Sequence, residues 1–210
     1  VKLITLFLLA FLFAACTKEG KDINSKFMEI NGTFYPTVVI GNQTWTSVNY
    51  NGPGGVNYDD SLKNDPIYGK LYNYTEVEAI KLPKGWHVPT YDDCVQLLIH
   101  LGAKDNTLNI YRLPDTLTYQ LMSQKTWTPA VGTNKIGFNA VGAGVWWTST
   151  LGITGYAERG KDCEILTSTI SNIGEHVSLS IIDEGIIEAW PNDVIPKTTD
   201  RGSVRFVKDN

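Results

Sequence analysis

Three thiols, three imidazoles and 22 carboxylates are the side chains of this 210-residue sequence best equipped for chemistry. Their spacing says what they cannot do. Cys16, Cys94 and Cys163 form no Cys-x-x-Cys pair, and no His-Glu-x-x-His run occurs, so the ligand spacing of a zinc site is missing. His87, His100 and His176 are scattered, and His100, near a helix end, reads as a polar rim or C-terminal charge partner rather than a base. No Gly-x-Ser-x-Gly elbow presents a nucleophile. The carboxylates fall in no motif that pairs an acid with a base across a sugar bond. Asn51-Gly52-Pro53-Gly54-Gly55 has no strand before it and no closing Lys-Ser or Lys-Thr, so it reads as a surface loop, not a phosphate cradle. Two places remain: the thiol of Cys16, and the oxygen donors of Asn192 and Asp193 beside Trp190.

Composition narrows the class. Hydrophobic residues make up 42% and charged residues 19%, enough apolar material for one packed domain and too little charge for a disordered chain. Net charge is −4 with no basic stripe, which argues against a nucleic-acid partner.

The first residues explain Cys16. Lys2 is followed by an apolar run from Leu3 to Ala15, broken only by Thr5. It falls short of the roughly 20 residues that span a bilayer and fits the core of a secretory signal. Phe13-Ala14-Ala15-Cys16 resembles the lipobox of bacterial lipoproteins, with Phe13 where Leu is usual. That resemblance implies a signal peptide over 1–15, cleavage before Cys16 and acyl chains on its thiol. Residues 16–26 are polar, without apolar periodicity, and read as a flexible tether. Thr17, not Asp, implies sorting to the outer membrane, and Lys18-Glu19 resembles the charged signal that takes some Bacteroidetes lipoproteins to the cell surface. With Cys16 consumed, Cys94 and Cys163 can pair in an oxidising compartment or remain buried thiols.

Residues 27–210 read as one α+β domain. Asn31-Gly32 and Gly41-Asn42 are hairpin turns joining strands at Phe27–Ile30, Thr33–Ile40 and from Gln43 on, with Pro36 suggesting an edge or bulge and Trp45 a core anchor. Thr75 and Glu78 make a capping box for a short helix over 76–80. Thr90 and Asp93 cap a second helix, whose Cys94, Leu97, Leu98 and Leu101 make one buried stripe ending at Gly102. Residues 103–145 read as loop, with Trp127 as core. Trp146–Thr150 reads as a buried strand, 151–200 as short β runs, and Ser203–Val207 as a central strand.

Five segments carry a family resemblance. They are Asn31 to Trp45, Tyr68-Gly69-Lys70-Leu71-Tyr72-Asn73-Tyr74, and Pro83-Lys84-Gly85-Trp86-His87-Val88-Pro89-Thr90. Gly137-Phe138-Asn139-Ala140 with Trp147-Thr148-Ser149-Thr150 follows, then Ser203-Val204-Arg205-Phe206-Val207-Lys208-Asp209. In this order they resemble the Fibrobacter succinogenes major paralogous domain, a family of exported bacterial proteins that is similar in turn to the C-type-lectin-like superfamily. The resemblance implies a twisted antiparallel sheet, two short flanking helices, long loops and chain ends that meet in the sheet. Phe206 stands where many relatives have Cys, so a disulfide from Cys94 to the last strand is not implied. Residues 151–200 depart from the pattern.

Sugar-binding C-type lectins carry a Trp-Asn-Asp run shortly before their last strand, where Asn and Asp hold Ca²⁺. Trp190-Pro191-Asn192-Asp193 resembles it with Pro191 interposed, and without the lectins' Glu-Pro-Asn partner. Asn192 and Asp193 are therefore candidate Ca²⁺ and ligand residues, against a plain turn. Trp190 and Tyr50, in loop-like contexts, are candidate sugar-stacking rings; Trp45, Trp86, Trp127, Trp146 and Trp147 read as core. The expectation is a monomeric outer-membrane or surface lipoprotein that binds glycan or protein without catalysing a reaction. An assembly subunit and a polysaccharide-acting enzyme are its rivals.

Overall fold

The computed structural model describes residues 26–104, 113–148, 151–170, 176–182, 187–195 and 200–210. The fold is α+β. Strands β1 (Phe27–Ile30), β2 (Thr33–Ile40) and β3 (Gln43–Thr46) form the expected meander. Asn31 and Gly32 both hold positive φ (51° and 80°), as the two-residue turn requires. Pro36 does not break β2. It sits where β2 changes partner, with Thr33–Pro36 pairing β1 and Thr37–Ile40 pairing β3. A residue without an N–H costs least at such a junction. Trp45 is fully buried and packs edge-on against Phe138, at 5.7 Å between ring centroids.

Beyond β3 come a short helix α1 (Asp65–Tyr68), β4 (Leu71–Tyr72), and helices α2 (Tyr74–Glu78), α3 (Tyr91–His100) and α4 (Asp115–Leu121). Strands β5 (Val145–Thr148) to β9 (Ile187–Ile195) follow, with β6 at Thr154–Ala157, β7 at Asp162–Ile170 and β8 at His176–Ile182. Last come β10 (Gly202–Ser203) and β11 (Val207–Asp209). One sheet has the order β1-β2-β3-β11, a second β4-β10-β7-β8-β9, and β5-β6 is a separate hairpin. Neither α1 nor α4 was legible as a helix: both are short and begin without a strong capping box.

The last segment is where expectation and structure part most usefully. The single central strand expected at 203–207 is two strands. β10 pairs with β4 and β7 in the second sheet, and β11 pairs with β3 in the first. Between them, Val204 and Phe206 accept hydrogen bonds from the amides of Tyr50 and Thr46 (2.8 and 2.9 Å). Arg205 lies at this crossing and is fully buried. Its Nε donates to Asn49 Oδ1 (2.8 Å), Nη1 to the carbonyls of Thr46 (3.2 Å) and Phe138, and Nη2 to the carbonyl of Asn139 (2.8 Å). Its Cζ stands 4.5 Å over the Phe138 ring. Burial pulls the guanidinium down to about 10, still charged at neutral pH.

Helix α3 begins as its residues predict. The Thr90 hydroxyl accepts from the Asp93 amide (3.1 Å), and Asp93 Oδ2 accepts from the Thr90 amide and hydroxyl, both at 2.7 Å. Asp93 is buried, and it also receives Gln43 Nε2 (2.9 Å) and His87 Nε2 (3.0 Å). Desolvation raises this carboxyl, but the bonds from Thr90 and His87 together outweigh it and hold it below its usual range. Cys94, Leu97 and Leu98 are buried and Gly102 takes φ 100° past the helix end. Helix α2 is capped two residues earlier than expected. Asn73, not Thr75, forms the capping box, with Glu76. Asn is the stronger cap, and the shift buries Tyr74 and Val77.

Other expectations are corrected. Trp147 is 42% exposed and Trp146 only half-buried, because β5-β6 is a separate two-stranded hairpin and adjacent strand residues face opposite sides. Trp86 is half-buried against the second core cluster. Trp127 is core, its Nε1 donating to Ala140 O (2.9 Å). Cys94 and Cys163 are unpaired thiols in the same core cluster, and burial pushes both upward, away from the reactive thiolate.

Two predictions follow from this frame. Arg205→Met leaves four carbonyl or amide oxygens without their donor and should cost about 3–5 kcal/mol in urea unfolding, as a broken buried charge site does; a loss under about 1 kcal/mol would refute the assignment. Asp93 binds its proton less readily folded than unfolded. Its stabilisation is therefore complete above the ordinary carboxyl value of about 3.9 and is lost as pH falls through the depressed folded value. Asp93→Asn should cost about 1–2 kcal/mol at neutral pH and flatten the acid limb of the stability–pH curve; an unchanged acid limb would count against the network.

Candidate functional site

Above the Arg205 crossing lies a cleft. It is built of two adjoining hollows of about 200 and 230 Å³ that share Ile67, Asn139 and Val141. Three local features shape it.

The first is the exit of β3. Asn49 donates through Nδ2 to Tyr68 O (2.9 Å) and Ser203 Oγ (3.0 Å) while its Oδ1 accepts from Arg205 Nε. This seats α1, and with it Ile67, against residues 49–51. Gly69 permits the approach. A Cβ there would lie 2.7 Å from Asn49 Cβ and 2.9 Å from Tyr50 O, at φ +74°. Asn51 faces the first hollow, its Oδ1 accepting from the Tyr35 hydroxyl (3.2 Å).

The second is the loop 134–141. Asn134 and Asn139 both take left-handed backbone (φ 49° and 56°), which Asn tolerates better than most residues. Asn134 Oδ1 accepts the Asn139 amide (2.8 Å), and Asn139 Nδ2 reaches back to Ser47 O (3.3 Å). With the Arg205 bond to its carbonyl, Asn139 is fixed on three sides.

The third is the turn after α4. The Ser123 and Thr126 hydroxyls bond each other, and Thr126 Oγ1 accepts the Gly142 amide (3.1 Å). Lys125 stands exposed at that end.

The cleft therefore offers amides, hydroxyls and one ammonium, and no Asp or Glu is among its described lining residues. Among the described residues, Asn51 Nδ2, Asn134 Nδ2 and Asn139 Oδ1 have no hydrogen-bond partner. At the rim, Phe34 is 63% exposed and Ile67 55%. Fixed donors and acceptors beside an open aromatic ring suit a ligand rich in hydroxyls with an apolar face.

The residues singled out from sequence fall elsewhere. Cys16 lies outside the described residues. Tyr50 is not an exposed ring: it is 2% exposed, packed 5.5, 5.2 and 5.3 Å from the rings of Tyr35, Tyr72 and Phe206. Its backbone pairs with Val204 and Lys70, which makes 50 part of the frame rather than of a loop. Trp190, Asn192 and Asp193 lie in β9, an edge strand and not a free turn. Trp190 pairs with Ser178 and Ile195 with His176, so residues 191–194 form an irregular stretch against the single residue Val177. Their side chains lie outside the description. β9 and Tyr50's neighbour Val204 sit apart, since β7 and β8 separate β9 from β10, so the structure does not join these candidates into one site. Among the described residues no group of three or more His, Cys, Asp or Glu is placed to hold a metal. No helix of the described residues is long and apolar enough to cross a membrane.

Phe34, Asn51, Asn134 and Asn139 went unnoticed as site residues. For Asn139 a signal existed: Gly137-Phe138-Asn139-Ala140 was prominent, but as a family marker rather than as a surface.

The family model of the Fibrobacter succinogenes major domain matches residues 38–208. The chain belongs to that family, and all three features of the cleft lie within the matched span except the rim contribution of β2 before Val38. No curated protein and no solved structure matches the chain.

Proposed function

We propose that this is a lipoprotein held to the outer membrane, at the cell surface, by acyl chains on Cys16, and that its domain is a C-type-lectin-like module that binds a neutral glycan without transforming it. The observation that carries the binding reading is the exposed Phe34 ring beside Asn51 Nδ2 and Asn139 Oδ1, the amide atoms without a partner among the described residues. Sugar rings present apolar C–H faces to aromatic rings and hydroxyls to planar amides. Chain-terminal strands β1 and β11 lying in one sheet support the lectin-like plan. The anchoring reading rests on the apolar run ending at Cys16 and on about 0.8 kcal/mol for each buried CH₂ of an acyl chain. The ligand contacts are side-chain amides, so calcium is not required.

The test is a glycan array on protein lacking residues 1–16, with calcium and with chelator. Binding should survive chelation. Phe34→Ala should weaken it about tenfold while leaving the melting temperature nearly unchanged, since the ring is mostly outside the core. Undiminished binding by that variant would remove the cleft from the account. Absence of any glycan binding would favour the assembly-subunit reading, for which edge strand β9 supplies a backbone edge that a second copy can extend.

A further inference from the structure

A second hollow, sharing no lining residue with the cleft, opens where Gly85-Trp86-His87-Val88-Pro89-Thr90 passes between α2 and the β7-β8 pair. Its volume is about 350 Å³, within the usual small-molecule range. Val77, Ile80, Leu82, Trp86 and Val88 make its apolar walls, and all but Val77 are only partly buried. Such walls gain from an occupant, because water now covers part of them. At the base, His176 lies flat on Tyr74, with ring centroids 3.5 Å apart and planes 12° from parallel. The Tyr74 hydroxyl is committed to Val177 O (3.0 Å). Ile170, 58% exposed, stands at the rim.

Glu78, Thr167, Ser168 and His176 also line the hollow, and His87 is the group whose hydrogen position the structure fixes. Its backbone N–H and C=O are both bonded to Val207, at N···O distances of 2.9 and 3.0 Å, which fixes the backbone that carries the ring. The segment around it is tied to β7 by the Ser168 amide on Pro89 O (2.7 Å) and the Tyr91 amide on Thr169 Oγ1 (2.8 Å). His87 Nε2 meets Asp93 Oδ2 at 3.0 Å. Asp93 is an ionised acceptor with every described contact a donor, so Nε2 must carry the hydrogen of that bond. When the ring is uncharged, its lone pair is therefore on Nδ1. Nδ1 has no partner among the described residues, and the side chain is 37% exposed. An acceptor of fixed tautomer beside an indole wall asks for a flat apolar body with one N–H or O–H.

We infer that this hollow is a binding site for a small free aromatic molecule bearing a single hydrogen-bond donor, of the indole or phenol class, with Trp86 as its wall and His87 Nδ1 as its acceptor. Ser168 supplies the hollow no donor of its own, because its one hydroxyl hydrogen is engaged with the carbonyls of Val88 and Pro89, each at 3.3 Å. The reading stands apart from glycan binding, and either can fail alone.

Isothermal titration and saturation-transfer NMR on the purified protein, with indole and its isostere benzothiophene, test it. Indole should bind saturably and about three- to tenfold more tightly than benzothiophene, the difference one neutral hydrogen bond makes. His87→Phe should bring the two ligands to equal affinity, and Trp86→Ala should weaken both. The wild-type comparison does not depend on any variant folding. Absence of saturable binding, or equal affinity of the two rings for the wild-type protein, would overturn the proposal. N-acetyltryptophanamide is the third arm: binding as tight as indole would overturn the free-molecule assignment in favour of a protein side chain.

Discussion

A buried guanidinium with no carboxylate among its described partners is the constraint around which this domain is arranged. Taking Arg205 out of water costs several kcal/mol, and none of its described hydrogen-bond partners carries a negative charge. Its bonds go instead to three backbone carbonyls and one amide oxygen, drawn from the end of β3, the segment beyond it, and the loop 137–140. Each is a neutral oxygen whose dipole points at the positive charge, and charge-assisted bonds of this kind are about twice as strong as neutral ones. The arrangement is exacting. Lysine would present its donors from one point and could not reach four oxygens in a planar fan. If any one of the three chain segments moves, a buried donor loses its partner. The crossing of the last segment from one sheet to the other, the seat of α1 and the pose of Asn139 are thus parts of one requirement.

That requirement explains why the family resemblance was so plain in sequence and so uninformative about function. Phe138-Asn139 and Val204-Arg205-Phe206 are separated by more than sixty residues, yet they meet on the same guanidinium. Other marked residues are frame as well: Trp45 and Phe138 pack edge to edge, Gly69 admits a close approach, and Thr90 caps α3. Such residues are tightly specified because packing and buried hydrogen bonds leave them few alternatives. Their prominence carries no information about a ligand.

Local rules were legible wherever local chemistry decides. The Asn31-Gly32 turn, the strands beside it, the Thr90–Asp93 box and the buried stripe of α3 all depend on residues within a few positions of one another. What was not legible depends on distant partners. Nothing near Val204 says that the chain will leave one sheet for another after Ser203. That follows from Tyr50 and Thr46 waiting with unpaired amides. Tyr50 looked like a loop ring because glycines follow it. In the fold the extended segment at 50 is pinned by Val204, and three aromatic rings close over it. Trp147 failed in the opposite sense. A run of two tryptophans reads as core, but adjacent strand residues face opposite sides of the hairpin, and Trp147 is on the exposed one.

The candidate cleft was hidden by a bias in what counts as chemistry. Thiols, imidazoles and carboxylates draw the eye in sequence because their roles are few and their spacings diagnostic. Amides have no diagnostic spacing. Asn51, Asn134 and Asn139 look like turn residues, and they are turn residues, since two of them hold left-handed backbone. It is the turn that aims them. Asn134 and Asn139 combine positive φ with side-chain bonds to the Asn139 amide and to Ser47 O, so each side chain is tied at the place where its backbone turns. His87 shows the same economy on the other side of the molecule. Asp93 ionises because Thr90 caps the helix through it, and its carboxylate then decides which nitrogen of His87 carries hydrogen. In both places a group that satisfies the fold's own polar atoms leaves one atom over, without a partner among the described residues. The recognition proposed for this molecule rests on those remainders, which only the assembled structure exposes.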